Sequence, residues 1–341
     1  MSPRLRLLAC AAALSLATAS AASTDAPTFG AQLEGFDYAY EVRRFELTSQ
    51  GQTLSMAYVD QAPRGRPNGR TVVLLHGKNF CAATWEQTIN ELTRRGYRVV
   101  APDQVGFCKS SKPAGYQFSL DQLASNTHAL LASLEVERAV VVGHSMGGML
   151  AARFALNHPK QVEQLVLVNP IGLEDWRAKG VPYATIDTLL EQELRTSYES
   201  IKAYQLKYYY SGVWQPRYDR WVRMLAGMYA GPGGRIVARN QAQTSEMIYT
   251  QPVVHEFDRI VAPTLLLIGQ KDRTAPGANR AAPDVAKRLG DYLALGRNAA
   301  DRIPNATLVE FAELGHSPQV ESPKQFHEAL LRGIERGTQA K

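Results

Sequence analysis

Apolar and polar residues follow two different periods along the chain from about residue 40. Short continuous apolar runs are typical of buried strands, and the longer amphipathic stretches between them are typical of helices. Strand-like runs cover 71–75, 97–101, 139–142, 165–169, 264–268 and 306–311, and helix-like stretches cover 85–95, 120–134 and 326–334. Residues 41–47 and 53–60 predict an opening hairpin. The alternation predicts an α/β protein with a mostly parallel sheet covered on both faces.

The alternation of strand-like and helix-like segments stops between residues 171 and 261, where no further strand-like run occurs. A segment of this length is too long for a loop and predicts a helical cap inserted into the α/β core, which then comprises 23–170 and 262–341. The segment is rich in aromatic residues, namely Tyr183, Tyr198, Tyr204, Tyr208, Tyr209, Tyr210, Trp214, Tyr218, Trp221 and Tyr229. We expect most of them to pack the cap helices together and the rest to line a pocket for an apolar or aromatic substrate group.

The first 22 residues have the three parts of a secretory signal peptide. Arg4 and Arg6 precede an apolar run at 7–16, and small residues follow at 17–22. The run is too short for a membrane span, and Cys10 lies before its end, which argues against a lipoprotein anchor. The sequence therefore predicts a periplasmic or secreted protein without a stable membrane anchor. The alternative is the N-terminal helix of a cytosolic protein.

Composition and charge exclude some partners. The chain has 341 residues, 45% of them apolar, which is enough for a sizeable core. Loss of the two signal-peptide arginines lowers the formal charge from +6 to +4. Because Lys and Arg form no cluster, a nucleic-acid partner is disfavoured. The expected partner is a small-molecule substrate, and the sequence assigns no oligomeric state.

The motif GHSMGG at 143–148 joins a strand-like run to an apolar helix. A serine presented above the end of a strand needs a tight, strained turn, so residues two before and two after it must be small. Gly143 and Gly147 meet this demand around Ser145. The pattern predicts Ser145 as a nucleophile. The following helix would aim the Met146 N–H at a developing oxyanion.

A serine nucleophile requires a base and an acid that orients the base. Asp272 directly follows the strand-like run ending at 268, and His316 follows the one ending near 311. The order Ser, Asp, His fits an elbow on such a sheet. We therefore predict His316 as the general base and Asp272 as the orienting acid. Glu174 and Asp175, which follow another strand end, stay open as alternatives to Asp272.

The other histidines have less suitable places. Three fall on predicted helices, where we expect surface or packing roles: His128, His158 and His327. His255 lies at the exit of the cap without an obvious partner, and His144 faces away from the attacking side of the elbow. No His or Cys spacing suggests a metal site.

The second oxyanion donor is expected in the loop His76-Gly77-Lys78-Asn79-Phe80, which follows the first buried strand. The backbone N–H of Lys78 is the first choice and that of Asn79 the second. We expect the Lys78 side chain to extend into solvent.

At this point the chain resembles the α/β-hydrolase family over nearly all of its mature length. The matching pieces are HGKNF at 76–80, PDQVGF at 102–107, GHSMGG at 143–148, GQKD at 269–272 and GHSP at 315–318. The resemblance implies an eight-stranded, mostly parallel sheet, a cap between the sixth and seventh strands, and hydrolysis without a cofactor. It is strongest with the branch that holds proline iminopeptidases, epoxide hydrolases, haloalkane dehalogenases and carbon–carbon bond hydrolases.

Two departures from that branch matter. Epoxide hydrolases and dehalogenases carry Asp as the nucleophile, so Ser145 argues against both activities. Asn79 replaces a proline that is common in the oxyanion loop, and this puts the shape of the loop in question.

The resemblance also implies that the strands at 71–75 and 97–101 are neighbours. Cys81 and Cys108 follow them in loops on the same edge of the sheet. We therefore expect a Cys81–Cys108 disulfide that ties the oxyanion loop to its neighbour; the alternative is two buried free thiols.

These residues together predict acyl transfer from Ser145 to water, with a small carboxylic ester as the default substrate. A carbon–carbon bond hydrolase would use the same residues on a diketone. An aminopeptidase would need acidic cap residues for a substrate ammonium, for which Glu191 and Glu193 are available. A ligand-binding protein on the same scaffold is the alternative outside the enzymes.

Overall fold

A computed structural model describes residues 27–339 of the chain, with side chains through residue 337. The predicted signal peptide at 1–22 lies outside these residues. Across the described span, no helix combines the length and apolar character that crossing a bilayer requires.

The central sheet has eight strands in the order β1-β2-β4-β3-β5-β6-β7-β8. The strands are β1 Arg43–Ser49, β2 Gln52–Gln61, β3 Thr71–Leu75, β4 Arg98–Pro102, β5 Ala139–His144, β6 Val162–Val168, β7 Thr264–Gly269 and β8 Ala306–Phe311. The β1–β2 and β2–β4 pairs are antiparallel and all other pairs are parallel. The predicted fold class is confirmed, including the neighbouring positions of β3 and β4.

Continuous apolar sequence explains the middle of this sheet. All residues of β5 and β7 are buried, as expected for strands covered by helices on both faces. Val73 on β3 lies opposite Val141 on β5, and Val142 on β5 opposite Val166 on β6. Such β-branched pairs pack well on a pleated surface. They hold β3, β5 and β6 side by side, and β7 pairs with β6 in the same parallel arrangement, so the carboxyl ends of these strands lie at one edge.

The helices of the core lie on both faces of the sheet, and those of the cap come between β6 and β7. The core helices are α1 Glu86–Arg94, α2 Leu120–Ser133, α3 Met146–Asn157, α8 Pro283–Ala286, α9 Tyr292–Arg302, α10 Pro318–Glu321 and α11 Pro323–Gln339. The cap helices are α4 Ile186–Glu193, α5 Tyr198–Tyr208, α6 Asp219–Ala230 and α7 Gly234–Thr250.

Aromatic stacking holds part of the cap together. The rings of Tyr210 and Tyr218 lie parallel with their centroids 3.8 Å apart, and the Trp214 ring stands edge-on to Tyr218 at 5.5 Å. Offset and edge-to-face ring pairs contribute stability beyond the area they bury. The segment between α5 and α6 is therefore a packed element of the cap although it contains no long helix.

Helix α9 is an element that the sequence pattern did not predict. Its buried residues Tyr292, Leu295 and Ala299 share one face, but Gly296 lies in the middle of the helix. Glycine lowers helix propensity and therefore obscures the period. Here it permits close packing, because a Cβ on Gly296 would lie 3.1 Å from the Ile268 side chain of β7.

Candidate active site

Ser145 occupies a sharp turn between β5 and α3. Its backbone angles are φ 56° and ψ −121°, a region that L residues adopt only when the surroundings force it. A Cβ on Gly143 would overlap the carbonyl of Gly147, and a Cβ on Gly147 would overlap the carbonyl of Leu75. The two glycines are thus required for the chain to fold around Ser145. The side chain of Ser145 is nearly buried and lines a cavity.

His316 and Asp272 meet at the same edge of the sheet. Asp272 follows β7 and His316 follows β8, and His316 Nδ1 donates to Asp272 Oδ2 at 2.6 Å. Both side chains are fully buried. With the proton held on Nδ1, a neutral imidazole presents Nε2 as an acceptor. This geometry gives His316 the tautomer that a general base requires.

His316 Nε2 is buried and has no hydrogen-bond partner among the described residues. The Ser145 elbow lies beside it, because His144 Nε2 donates to the His316 carbonyl at 2.8 Å. No hydrogen bond joins the Ser145 hydroxyl to His316 within the described part of the chain. Such contacts are often long without substrate and tighten on binding. The arrangement leaves one unpartnered proton acceptor on a residue that lies against the elbow.

Asn169, which the sequence reasoning missed as a site residue, holds Asp272 in place. Its Nδ2 donates to Asp272 Oδ2 at 3.0 Å, and its Oδ1 accepts the N–H of Gly269 at 2.9 Å. Asp272 Oδ1 accepts the Thr274 N–H at 2.7 Å. Asn169 has φ 36°, which asparagine tolerates better than most residues. An Asn-Pro pair directly after a strand was the only signal for it in the sequence.

The loop that carries His316 is held from two further sides that the sequence did not reveal. The His316 N–H donates to the carbonyl of Tyr209 in the cap at 3.0 Å, and the two rings lie 4.4 Å apart. The Glu321 carboxylate accepts the N–H groups of Gly315 at 3.0 Å and Ser317 at 3.2 Å. The cap and α10 therefore fix the backbone on both sides of the imidazole.

His144 and His76 are buried, and burial lowers the pKa of both imidazoles below its ordinary value. His76 Nε2 accepts the N–H of Gln104 at 3.0 Å, and its Nδ1 donates to the Gly77 carbonyl at 2.9 Å. Both rings are therefore neutral supports that hold backbone carbonyls and N–H groups around the site.

The loop at 76–80, which the sequence predicts to supply an oxyanion donor, is held by the cap. As the first residue of α3, Met146 has no intrahelical acceptor for its N–H. Lys78 and Asn79 line the same cavity as Ser145. The Lys78 side chain was wrongly expected in solvent: its Nζ donates to Glu193 Oε1 of α4 at 2.7 Å, and only 18% of the side chain is exposed. Glycine at position 77 allows this loop to approach, since a Cβ there would lie 2.9 Å from the Ser145 Cβ.

Asn79, the second choice for an oxyanion donor, also contacts the cap. Its Nδ2 donates to the Tyr209 hydroxyl at 2.9 Å. Neighbouring residues of the loop thus contact two different parts of the cap, α4 and the residue that follows α5, so the cap helps to set the position of both candidate backbone donors.

A cavity of 330 Å³ lies above Ser145, between the core loops and the cap. Ile171, Leu225 and Ile248 form part of its apolar wall. Tyr204, Tyr209 and Tyr229, three of the ten aromatic residues noted in the cap sequence, also line it. Its volume is at the lower end for small-molecule sites, which run from about 300 to 1,000 Å³.

Cys81 and Cys108 form a disulfide whose Cα atoms are 5.9 Å apart. Together with Asp103 they are the one group of His, Cys, Asp or Glu side chains in residues 27–339 whose atoms lie close enough for a metal. Thiolates are the metal ligands that cysteine provides, and the disulfide removes both. The Asp103 carboxylate accepts the Ala82 N–H at 2.8 Å and the Tyr38 hydroxyl at 2.7 Å. These residues therefore act as a structural link between the loops after β3 and β4.

The alternative acids after β6 lie elsewhere. Asp175 Oδ2 contacts His255 Nε2 at 2.8 Å, which gives that histidine the partner the sequence did not show. Glu174 accepts the indole N–H of Trp176 at 3.2 Å and pairs with Lys179 at 2.7 Å. Neither carboxylate contacts His316, so the structure favours Asp272 as its partner.

Of the three histidines predicted on helices, His128 and His327 lie on α2 and α11, but His158 directly follows the end of α3; all three have ordinary packing contacts. The rings of His128 and His158 stack at 4.2 Å, and His327 Nε2 lies 3.0 Å from the Thr88 hydroxyl. They lie outside the cavity lining.

Comparison with known proteins agrees with this architecture. Residues 70–323 match the family model of the alpha/beta hydrolase fold. The solved structure of a probable hydrolytic enzyme from Pseudomonas aeruginosa PAO1 is 61% identical with a TM-score of 0.90, over 91% of this chain and 99% of that chain.

More distant relatives cover most of the chain. An AB hydrolase superfamily protein of Bacillus subtilis is 27% identical over 277 residues, which are 78% of this chain and 91% of that protein. The 2-hydroxymuconate semialdehyde hydrolase of a Pseudomonas species is 27% identical over 266 residues, 76% of this chain and 84% of the relative. The chain belongs to the α/β-hydrolase family and is an enzyme of the hydrolase class.

Proposed function

We propose that the protein is a serine hydrolase that cleaves small carboxylic esters through an acyl-enzyme. The observation that carries the proposal is the buried His316–Asp272 pair, whose free Nε2 lies beside the elbow of Ser145. A strained serine, an imidazole in the accepting tautomer and a fixed carboxylate are the parts that activate a hydroxyl nucleophile.

In the first half of the reaction, His316 Nε2 takes the hydroxyl proton as Ser145 Oγ attacks the ester carbonyl. The oxyanion that forms accepts one hydrogen bond from the backbone N–H of Met146 and one from the backbone N–H of Lys78 in the facing loop. Asp272 stabilises the imidazolium through the 2.6 Å contact. The C–O bond to the alcohol then breaks, and His316 passes the proton to the leaving oxygen.

In the second half, water replaces the alcohol. His316 removes a proton from the water as its oxygen attacks the acyl carbon, and the same backbone N–H groups receive the oxyanion. Collapse breaks the bond to Ser145 Oγ, which regains a proton from His316. The carboxylic acid leaves and the starting state returns.

Charge pairing inside the cavity argues against an aminopeptidase. Glu193 is already engaged: it pairs with Lys78 at 2.7 Å and accepts the Tyr229 hydroxyl. A carboxylate neutralised in this way is a weak site for a substrate ammonium. Glu191 points to solvent with 70% of its side chain exposed.

Carbon–carbon bond hydrolysis is the second candidate, favoured by the relative named 2-hydroxymuconate semialdehyde hydrolase. The same groups could attack a ketone carbonyl, with a carbanion as the leaving group. An ester is the easier substrate, since an alkoxide leaves more readily than a carbanion.

Kinetics with three substrate classes test the proposal: p-nitrophenyl esters, amino-acid p-nitroanilides and a vinylogous diketone. We expect the highest kcat/KM for short esters and complete loss in Ser145→Ala. A fluorophosphonate probe should label the wild type and not this variant. Wild-type esterase rates in Ser145→Ala would refute the assignment of Ser145 as the nucleophile. Absence of labelling in the wild type would favour the ligand-binding alternative.

We also propose that the protein is exported to the periplasm or beyond. The Cys81–Cys108 disulfide supports this location, because disulfides persist mainly in oxidising compartments. Cell fractionation of the full chain and of a variant without residues 1–22 tests it. Recovery of both in the cytosol would contradict export.

A further inference from the structure

Three charged side chains line the cavity above Ser145, and one of them has no counterion. Lys78 and Glu193 neutralise each other at 2.7 Å. Arg280 forms no ion pair with any carboxylate of the described residues; its one hydrogen bond runs from Nε to the Pro182 carbonyl at 3.4 Å. The two terminal nitrogens of its guanidinium make no hydrogen bond to residues 27–339, and the charged side chains that line the cavity sum to a net positive charge.

Arg280 is held at a fixed place relative to the reacting groups. It ends the segment that starts at Asp272, and Thr274 and Gly277 of this segment line the cavity with it. Gly277 has φ 80°, and a Cβ there would lie 2.6 Å from Arg280 Nη2. The glycine therefore makes room for the guanidinium to fold over the backbone. The arginine is thus placed by the same loop that places the orienting acid.

Burial makes this charge costly. Arg280 is only partly exposed, and burial lowers the pKa of its guanidinium from the ordinary value. A partly desolvated cation without a counterion costs free energy that a ligand anion can offset. The planar guanidinium matches a carboxylate, which it binds with two parallel hydrogen bonds.

We propose that Arg280 binds a carboxylate of the substrate, so that the enzyme prefers esters carrying a free carboxylate on the half that occupies the cavity. This inference rests on the proposed ester hydrolysis and names its substrate class. The 330 Å³ cavity suits a short dicarboxylic half-ester, with apolar methylenes against Ile171 and Ile248 and the charged end at Arg280.

A matched arginine lies just outside the cavity lining. The Arg177 guanidinium stacks on the ring of Tyr249 at 5.4 Å, and Tyr249 itself lines the cavity. Arg177 is exposed and makes no ion pair with the described residues. Replacing either arginine with methionine changes the net charge by the same amount. Of the two side chains, only that of Arg280 lines the cavity and can contact a ligand there.

The test compares mono-p-nitrophenyl glutarate with p-nitrophenyl butyrate, which has a similar acyl length and no charge. We expect the kcat/KM ratio of charged to neutral ester to fall about tenfold to a hundredfold in Arg280→Met, as for a lost hydrogen bond between charged groups. Arg280→Lys should keep part of the ratio, and Arg177→Met should keep all of it. An unchanged ratio in Arg280→Met, or an equal fall in Arg177→Met, overturns the proposal.

A binding measurement tests this inference independently of the proposed reaction. Titration calorimetry with glutarate and the Ser145→Ala protein needs no turnover, and adding Arg280→Met should weaken binding at least tenfold. Equal affinity in the two proteins would refute the carboxylate site even if esters are cleaved. If the wild type cleaves no ester but glutarate binding still depends on Arg280, the proposed reaction is refuted and the carboxylate site stands. Thermal unfolding of each variant verifies that it is folded.

Discussion

Replacing Asn169 with alanine removes the side chain that connects the end of β6 to Asp272, the orienting acid of the proposed mechanism. The side-chain amide extends the hydrogen bonding between β6 and β7 beyond the last residue of β6, because its Oδ1 accepts a hydrogen bond from the Gly269 N–H at 2.9 Å. Its Nδ2 also supplies one of the donors to Asp272 Oδ2, at 3.0 Å. In the variant, the Asp272 carboxylate keeps its contacts with Thr274 and His316 but loses its hydrogen bond to the residue that follows β6.

The size of the effect follows from burial. Asn169 is 0% exposed, so no water replaces the amide at the surface. The orphaned Gly269 N–H costs about 1 to 3 kcal/mol, and the lost hydrogen bond to a charged carboxylate about 1.5 to 3 kcal/mol. We expect the free energy of unfolding to fall by about 2.5 to 6 kcal/mol. Loss of orientation of Asp272 should lower kcat about tenfold to a hundredfold with little change in KM.

Asn126→Ala is the matched control. Asn126 is also a buried asparagine, and its Nδ2 donates to the Tyr116 hydroxyl at 3.0 Å, on α2 away from the site. Denaturant unfolding should show a loss of stability in both variants, whereas steady-state kinetics should show a reduced kcat only in Asn169→Ala. A wild-type kcat in Asn169→Ala, or an equal fall in Asn126→Ala, would show that Asn169 does not position the acid.

Two further predictions concern the loops around the site. Burial raises the pKa of Glu321 from its ordinary 4.5 to about 7, so between these values the folded protein holds a proton that the unfolded chain has released. Stability should therefore fall as pH rises from about 4.5 to 7. Glu321→Gln should lack this slope in denaturant unfolding, and an identical slope in both proteins would contradict the assignment. The Cys81–Cys108 disulfide closes a separation of 27 residues, and replacing both cysteines with alanine should cost about 3.5 kcal/mol. In protein that lacks residues 1–22, and therefore Cys10, alkylation followed by intact-mass measurement should find two thiols only after reduction; labelling without reductant would rule out the bond.

The sequence was sufficient to predict which residues follow the ends of neighbouring strands. Ser145 follows β5, Asp272 follows β7 and His316 follows β8, and parallel strands bring their carboxyl ends to one edge. Position along the chain therefore predicted position in space.

The contacts of the residues that support the site could not be predicted from position along the chain. Asn169 acts on Gly269 and Asp272 about one hundred residues later, a pairing that depends on the register of two strands. Tyr209 is one of ten aromatic residues in the cap sequence, and its carbonyl, not its ring, takes the His316 N–H. The burial of Lys78 depends on where α4 lies. These contacts come from tertiary packing, which a local pattern does not encode.

The hydrogen bond between the His316 N–H and the Tyr209 carbonyl has a consequence for protein engineering. A cap transplanted from a relative would bring a foreign backbone to the point where the loop that carries His316 needs an acceptor. If His316 is the base, as we propose, chimeras that exchange the whole insertion should lose turnover as well as change selectivity. Grafts that retain the native turn after α5 should keep the position of His316 while the rest of the cap is varied.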